Sequence, residues 1–119
     1  MDDEDFVRDL ASDMLTGMGY NVSVAHHGQE AVDMVQQSIA KHEPFDVIIL
    51  DLTIPGGTGG KEALQKILNM APDTRAVASS GYSDDPVIAA PQKFGFICSL
   101  RKPYMKKEVA AMLERIFHK

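Results

Sequence analysis

The sequence predicts an α/β fold in which a doubly wound parallel sheet carries helices on both faces. Short apolar segments alternate with amphipathic segments of helical spacing along the chain, a pattern typical of consecutive βα units. Residues 47–50 are all apolar, as expected of a strand buried on both faces of a parallel sheet. The 119 residues, 45% of them hydrophobic, suit one core, so we predict a single domain over residues 1–119.

The first half of the chain predicts two helices and two strands. Apolar residues recur at helical spacing up to Gly19, which is a natural helix stop, and alternating polarity marks the segment after it. The predicted elements are a helix over residues 5–18, a strand over 21–25, a helix over 29–40 and the strand over 47–50.

The second half predicts two more strands and three helices. Gly81 ends a strand of small residues, and Asp85 with Pro86 favours a helix start that Pro91 soon shortens or kinks. A glycine-rich loop over residues 55–60 precedes this half. The predicted elements are a helix over residues 60–70, a strand over 76–80, a helix from residue 84, a strand over 96–100 and a helix over 104–118.

The predicted order is one helix followed by four βα units. A doubly wound domain whose first element is a helix is one strand short at its N-terminus. We therefore predict that the first strand is largely absent from this chain.

Composition excludes several functional classes. A net charge of −5 and a pI near 5.2 argue against a nucleic-acid partner. No apolar run approaches the roughly 20 residues that cross a membrane, and the acidic N-terminus is unlike a signal peptide. The single cysteine, Cys98, cannot form an internal disulfide. We expect a cytoplasmic protein, or a cytoplasmic piece of one, that neither enters a membrane nor binds nucleic acid directly.

Polar side chains gather where the predicted strands end. Asp51, Ser80 and Lys102 follow three strands, and Asp2 and Asp3 precede the first helix. Open α/β sheets bind ligands at the carboxyl ends of their strands. Clustered carboxylates repel one another unless a cation lies among them, and Mg²⁺ prefers such oxygen ligands. Because a carboxylate can also accept a phosphoryl group that a lysine and a hydroxyl neutralise, the set predicts a metal-assisted phosphoryl acceptor.

Four motifs in register resemble one known family along the whole chain. They are similar to the receiver domain of two-component signalling, the CheY-like domain with a flavodoxin-type sheet, and most similar to receivers of hybrid sensor histidine kinases. The motifs are Asp2-Asp3-Glu4, Asp51-Leu52-Thr53-Ile54-Pro55-Gly56, Ser79-Ser80-Gly81-Tyr82 and Lys102-Pro103-Tyr104.

The resemblance implies a role for each matching residue. Asp51 takes a phosphoryl group from the phosphohistidine of a histidine kinase, in the same polypeptide for a hybrid kinase, or from a phosphotransfer protein. Mg²⁺ is held by Asp2, Asp3, Asp51 and the backbone carbonyl of Thr53. Ser80 and Lys102 contact the phosphoryl group, and the Lys102-Pro103 bond is cis. The domain then switches conformation, and it is no enzyme beyond catalysing its own phosphorylation and dephosphorylation.

Two departures from the family pattern affect these expectations. The family's first strand lies mid-sheet, and only Met1 remains of it here. Either the start is trimmed, or another chain or segment supplies the strand, as in a homodimer with strand exchange, or the sheet is rearranged and the acid pair moves. Ser99 also replaces an aromatic residue whose side-chain rotation couples to phosphorylation in many receivers, so we expect no such rotation unless Phe96 substitutes.

Two alternative functions remain at this stage. One is a receiver-like docking domain that is not phosphorylated and binds partners through the face between Ser80 and Lys102. The other is an aspartyl-phosphate phosphatase of the haloacid dehalogenase type, which needs a second acid two residues after Asp51. Thr53 stands there and cannot protonate a leaving group, so we rank the phosphatase last.

Overall fold

A computed structural model of the protein describes residues 1–53, 59–81 and 85–117. After two consecutive helices, strands and helices alternate along the described residues. The elements are α1 (Asp5–Gly17), α2 (Gly28–Ala40), β1 (Ile48–Asp51), α3 (Gly60–Met70), β2 (Ala76–Ser80), α4 (Pro86–Ala89), a 3₁₀ turn (Pro91–Phe94), β3 (Cys98–Arg101) and α5 (Lys106–Phe117).

The described strands form a parallel sheet in the order β1-β2-β3. Asp51 lies opposite Ser79, and Ser80 lies opposite Arg101. The strands therefore end together, and the residues that follow them meet at one edge of the sheet.

Side chains of the sheet alternate between two apolar clusters, one on each face. Leu50 and Ala78 pack with α2, α3 and α4, whereas Val77 and Leu100 pack with α5 and with the apolar side of α1. This alternation is the period-two pattern of a strand buried on both faces. The predicted α/β class and the helices on both faces are confirmed.

The strand predicted over residues 21–25 is wrong, because these residues adopt no regular secondary structure. A strand needs a neighbour along its length, and here the neighbour is only two residues long. The amide of Asp2 donates to the carbonyl of Ala25 at 3.1 Å, while the amide of Asp51 donates to the carbonyl of Met1 at 3.1 Å. Met1 and Asp2 thus lie between residue 25 and β1, and the prediction that the first strand is largely absent is confirmed.

Two predicted boundaries also shift. The last strand begins at Cys98 rather than at Phe96, because Gly95 turns the chain with a φ of +92° and Phe96 is buried in the core. Helix α5 begins at Lys106 rather than at Tyr104. Tyr104 is instead buried, with its hydroxyl 2.5 Å from the hydroxyl of Ser79.

Several remaining predictions are only partly testable. The helix that starts near Pro86 is four residues long and gives way to a 3₁₀ turn at Pro91, as predicted. Of the predicted glycine-rich loop, only Gly59 and Gly60 belong to the described residues. The start of the helix at residue 84 and the end of the last helix at residue 118 lie outside them. Among the described residues, no helix is long and apolar enough to cross a membrane.

Candidate functional site

Asp51 is the last residue of β1 and is almost completely buried, with 2% of its surface exposed. Its Oδ1 atom accepts a hydrogen bond from the amide of Thr53 at 3.3 Å. Helix α3 begins against its backbone, since a Cβ added to Gly60 would lie 2.7 Å from the carbonyl oxygen of Asp51. Only glycine allows this approach, so the tight contact holds the end of β1 in place.

Asp2 lies beside Asp51 because the first two residues occupy the place of a strand. It is 3% exposed, and its Oδ1 atom accepts from the amide of Glu4 at 3.0 Å. Its carbonyl oxygen accepts from Nη1 of Arg8 at 3.0 Å, and Arg8 also pairs with Asp5. The sequence analysis missed Arg8. The one feature that could have pointed to it is its position directly after Val7, on the inner side of α1.

Lys102 joins the two buried aspartates. Its Nζ atom lies 2.6 Å from Oδ2 of Asp2 and 3.2 Å from Oδ2 of Asp51. Its backbone amide donates to the carbonyl of Ser80 at 2.9 Å, and the Lys102-Pro103 bond is cis, as predicted. The structure thus brings together Asp2, Asp51 and Lys102, which are far apart in the sequence.

Ser80 ends β2 at the same edge of the sheet and is 1% exposed. Because Ser79 lies opposite Asp51, Ser80 stands one residue further along the neighbouring strand. The hydroxyl of the preceding residue, Ser79, contacts the buried hydroxyl of Tyr104 at 2.5 Å. The sequence analysis assigned Ser80 to the site, as a prediction, and did not anticipate the contact between Ser79 and Tyr104.

Burial and charge set the protonation of the site. Burial raises the pKa of Asp51, the negative charge of Asp2 raises it further, and Lys102 opposes both effects. Burial by itself would lower the pKa of Lys102, but its hydrogen bond to Asp2 and the charge of Asp51 outweigh burial and raise it. One ammonium thus faces two carboxylates, which leaves an excess of negative charge in a buried place.

The oxygen atoms at this edge suit a divalent cation. The Oδ2 atoms of Asp2 and Asp51 are buried, and among the described residues their one polar contact is the Lys102 ammonium. Asp2, Asp3 and Glu4 each bring a carboxylate oxygen within 4.8 Å of the others, with Asp3 and Glu4 exposed. Hard oxygen donors around excess negative charge fit Mg²⁺. Asp51 lies outside that acidic trio, and the sequence analysis did not anticipate Glu4.

Ser99 occupies the position where many receivers carry an aromatic residue. Its hydroxyl donates to the carbonyl of Ile88 at 3.2 Å, which ties β3 to α4. Phe96 is 1% exposed and packs in the core on the α3 side of the sheet. Neither residue therefore presents a ring that is free to rotate between the site and the surface.

Sequence comparisons find related proteins along the whole length of this chain. The sequence profile of the response regulator receiver domain family matches residues 1–114. The sensor kinase CckA of Brucella abortus is 29% identical over 122 residues, which cover 100% of this chain and 12% of that protein. The chemotaxis protein CheY of Thermotoga maritima is 26% identical over 98% of this chain and 92% of its own length.

Solved structures share the fold. A chain of the CheX-CheY-BeF3-Mg²⁺ complex of Borrelia burgdorferi superposes with a TM-score of 0.87 at 23% identity, over 99% of this chain and 86% of that one. CheY4 of Vibrio cholerae superposes with a TM-score of 0.84 at 24% identity, over 98% and 93% of the two chains. At such identities the structures support the fold alone.

Proposed function

Because the chain belongs to the response regulator receiver domain family, we propose that it is a phosphoacceptor in two-component signal transduction, with Asp51 as the acceptor. One observation carries the proposal. The carboxylate of Asp51 is buried at the end of β1, and a lysine ammonium lies 3.2 Å from it. A reactive carboxylate next to a fixed cation is what phosphoryl transfer to an aspartate requires.

The transfer follows from the chemistry of Asp51. One of its carboxylate oxygens attacks the phosphorus of a phosphohistidine, the P–N bond breaks, and the electron pair of that bond leaves with the histidine nitrogen. The product is an aspartyl-phosphate, which water later hydrolyses. Lys102 exchanges its contact with Asp51 for the incoming phosphoryl oxygens, and the Ser80 hydroxyl donates a hydrogen bond to them.

A bound Mg²⁺ would be held by the carboxylates of Asp2, Asp3 and Asp51 and by the carbonyl of Thr53. The buried Oδ2 atoms of Asp2 and Asp51, which among the described residues contact only the Lys102 ammonium, support this set. The ion would neutralise charge on the phosphoryl group. Without the ion, Lys102 is the one described side chain whose cationic group lies within 4 Å of both buried carboxylates, so it is their nearest neutralising charge.

The donor of the phosphoryl group is a histidine kinase or a phosphotransfer protein. The similarity to CckA, of which the chain spans 12%, favours a kinase that carries its receiver in the same polypeptide, and the similarity to CheY favours a stand-alone regulator. The exchange takes place in the cytoplasm. Phosphorylation changes the conformation around Ser80 and Lys102, without rotation of a ring at residue 99.

The test is intact-mass analysis after incubation with acetyl phosphate, with and without Mg²⁺. We expect one added phosphoryl group that requires Mg²⁺ and is lost in Asp51→Asn. Asp9→Asn, which changes an exposed acid on α1, is the matched control and should be phosphorylated like the original chain. A phosphoryl group retained by Asp51→Asn would place the acceptor elsewhere.

A docking domain that takes no phosphate is the second candidate. It is favoured by the short first strand, which leaves part of the sheet without a neighbour. A folded sample that acquires no phosphoryl group under these conditions would support it. We reject the phosphatase alternative because the chain belongs to the receiver family and has a threonine, Thr53, where a phosphatase of that type needs an acid.

A further inference from the structure

Tyr104 is buried two residues after Lys102, and phosphoryl transfer as derived above does not use it. Its ring packs in the apolar cluster on the α5 side of the sheet, and 7% of its surface is exposed. Its hydroxyl lies 2.5 Å from the hydroxyl of Ser79, which is completely buried. Removing two hydroxyls from water costs free energy unless they bond to each other. The pair is therefore a defined hydrogen bond inside an otherwise apolar cluster.

Ser79 connects this bond to the end of β1. In the sheet it lies opposite Asp51 on one side and opposite Leu100 on the other. Its carbonyl accepts from the amide of Leu52, the residue directly after Asp51, at 2.9 Å. The backbone of Ser79 thus fixes the end of β1, and its side chain binds a segment from a different part of the chain.

Tyr104 belongs to the segment that carries Lys102 away from β3. The amide of Lys102 donates to the carbonyl of Ser80 at 2.9 Å, and two residues later the hydroxyl of Tyr104 returns to Ser79. Helix α5 begins only at Lys106, so this segment lies between two regular elements. Lys102 is therefore placed between two contacts with β2, one through its own backbone and one through a side chain.

The ammonium of Lys102 has to meet two separate groups. Its Nζ atom lies 2.6 Å from Oδ2 of Asp2 and 3.2 Å from Oδ2 of Asp51. A lysine side chain is a flexible four-carbon stem, so it reaches both carboxylates reproducibly only if its backbone is fixed. Small displacements of a group that contacts the reacting atoms slow a reaction strongly.

The hydroxyl of Tyr104 is also electrostatically close to the site. Burial raises the pKa of Tyr104, so the hydroxyl keeps its proton at neutral pH and can share it with Ser79. The hydrogen bond to Ser79 and the charge of Lys102 lower this pKa, whereas the charges of Asp2 and Asp51 raise it. The site and the hydroxyl pair therefore lie within reach of each other's charges.

We propose that Tyr104 and Ser79 are positioning residues for phosphoryl transfer, whose shared hydrogen bond fixes the segment after β3 so that the Lys102 ammonium faces Asp51. This inference rests on the proposed function, because it gives the position of Lys102 a role in the reaction. The pair acts through Lys102 and has no chemical step of its own.

The first test compares the phosphorylation rates of Tyr104→Phe, Ser79→Ala and the double variant with acetyl phosphate and Mg²⁺. Each single variant should be slower by about two- to ten-fold, the range that one hydrogen bond contributes. The double variant should be no slower than the slower single variant, because both changes remove the same bond. Tyr20→Phe, at a partly exposed tyrosine, and Ser38→Ala, at a buried serine of α2, are the matched controls and should react like the original chain.

Thermal denaturation of the same variants separates positioning from stability. Each single variant leaves one buried hydroxyl unpaired and should lower the Tm. The double variant leaves neither, so its Tm should recover toward that of the original chain. Its phosphorylation rate should stay low, because Lys102 has still lost its second contact with β2. A rate that recovers together with the Tm would show that the pair serves stability alone and would overturn the proposal.

A second readout needs no phosphoryl donor. The Lys102 side chain is 13% exposed and contacts two carboxylates, so its ammonium should give a nitrogen–proton NMR signal, which Lys102→Arg removes. Tyr104→Phe and Ser79→Ala should each shift or broaden this signal, and Tyr20→Phe should leave it unchanged. Either single variant carries the comparison if the other does not fold.

The two readouts distinguish failure of this inference from failure of the proposed function. An unchanged ammonium signal in the folded variants, or its absence from the original chain, would overturn the positioning role. An original chain that takes up no phosphoryl group, but whose ammonium signal responds to Tyr104→Phe, would refute the proposed function and leave the positioning of Lys102 supported.

Discussion

Asp2 and Asp51 share the ammonium of Lys102, and this sharing determines the properties of all three residues. The lysine is nearer to Asp2, at 2.6 Å, than to Asp51, at 3.2 Å. The negative charge of Asp51 is therefore neutralised less by Lys102 than the charge of Asp2 is, although both side chains are equally buried. Its raised pKa expresses that cost, because a buried carboxylate with incomplete compensation prefers to be neutral.

Asp51→Asn should therefore stabilise the protein. The change removes one of two buried negative charges and leaves Lys102 paired with Asp2 at 2.6 Å. We expect a gain of about 1 kcal/mol in the free energy of unfolding, within the range of single stabilising substitutions. For a domain of this size that is about 4 °C in Tm, measured by thermal denaturation at pH 7 without divalent cations.

Comparing the stability of Asp51→Asn with that of the original chain at several pH values tests the direction of the pKa shift of Asp51. Because the pKa of Asp51 lies above the ordinary value of about 3.8, the folded state binds this proton more tightly than the unfolded state does. Asp51 thus costs stability progressively as the pH rises from about 3.8 through its raised folded value. The stability advantage of Asp51→Asn should grow over that window and stay constant above it. An advantage that instead shrinks toward neutral pH would show that Asp51 is well compensated.

At the scale of elements, the junction of β1 and α3 depends on one glycine. Gly60 is the first residue of α3, and a Cβ there would meet the Asp51 carbonyl oxygen at 2.7 Å and the Leu50 Cβ atom at 3.1 Å. Both are parts of the buried strand that cannot move aside without shifting the site. The junction therefore couples the packing of α3 to the position of Asp51.

Gly60→Ala should destabilise the protein by about 1–3 kcal/mol, as overpacking of a core does. It should also slow phosphorylation, because the end of β1 has to move. Gly17→Ala is the matched control, since Gly17 ends α1 and an added Cβ there meets nothing within 4 Å. The control should be neutral or stabilising by up to about 1 kcal/mol. Urea denaturation of both variants measures the difference, and equal stability of the two would refute the close contact.

At the scale of the whole molecule, a cation at the acidic edge should stabilise the entire fold. The acids come from the N-terminus and from β1, which are separate in the sequence and meet only when the chain is folded. A ligand that binds this arrangement binds the folded state alone, so it shifts the unfolding equilibrium by mass action.

Mg²⁺ should accordingly raise the Tm, with a stabilisation of about 2.7 kcal/mol at a concentration of 100 times Kd. Asp3→Asn should weaken this response while leaving the metal-free Tm unchanged, because the Asp3 side chain is exposed. Asp9→Asn, which removes an exposed acid from α1, should respond like the original chain. Thermal denaturation at increasing Mg²⁺ measures all three. A response that Asp3→Asn leaves intact would remove Asp3 from the proposed ligands.

The sequence by itself determined the fold class, the order of most elements and the receiver family. These follow from local patterns, such as the apolar run that ends at Asp51 and the motif around Lys102, which nearby residues specify without help from the rest of the chain. It also revealed that the first strand was short. It failed at residues 21–25, where alternation predicts a strand, and at Tyr104, where helical spacing predicts a helix.

The tertiary structure decided what depends on segments distant in the sequence. Residues 21–25 form no strand because only Met1 and Asp2 reach their edge, and Tyr104 leaves the helix to meet Ser79. The division of Lys102 between two aspartates and the contact of Gly60 with Asp51 arise in the same way. Local patterns specify which elements form. Only the folded chain determines which of their atoms come into contact and which part of the sheet stays unpaired.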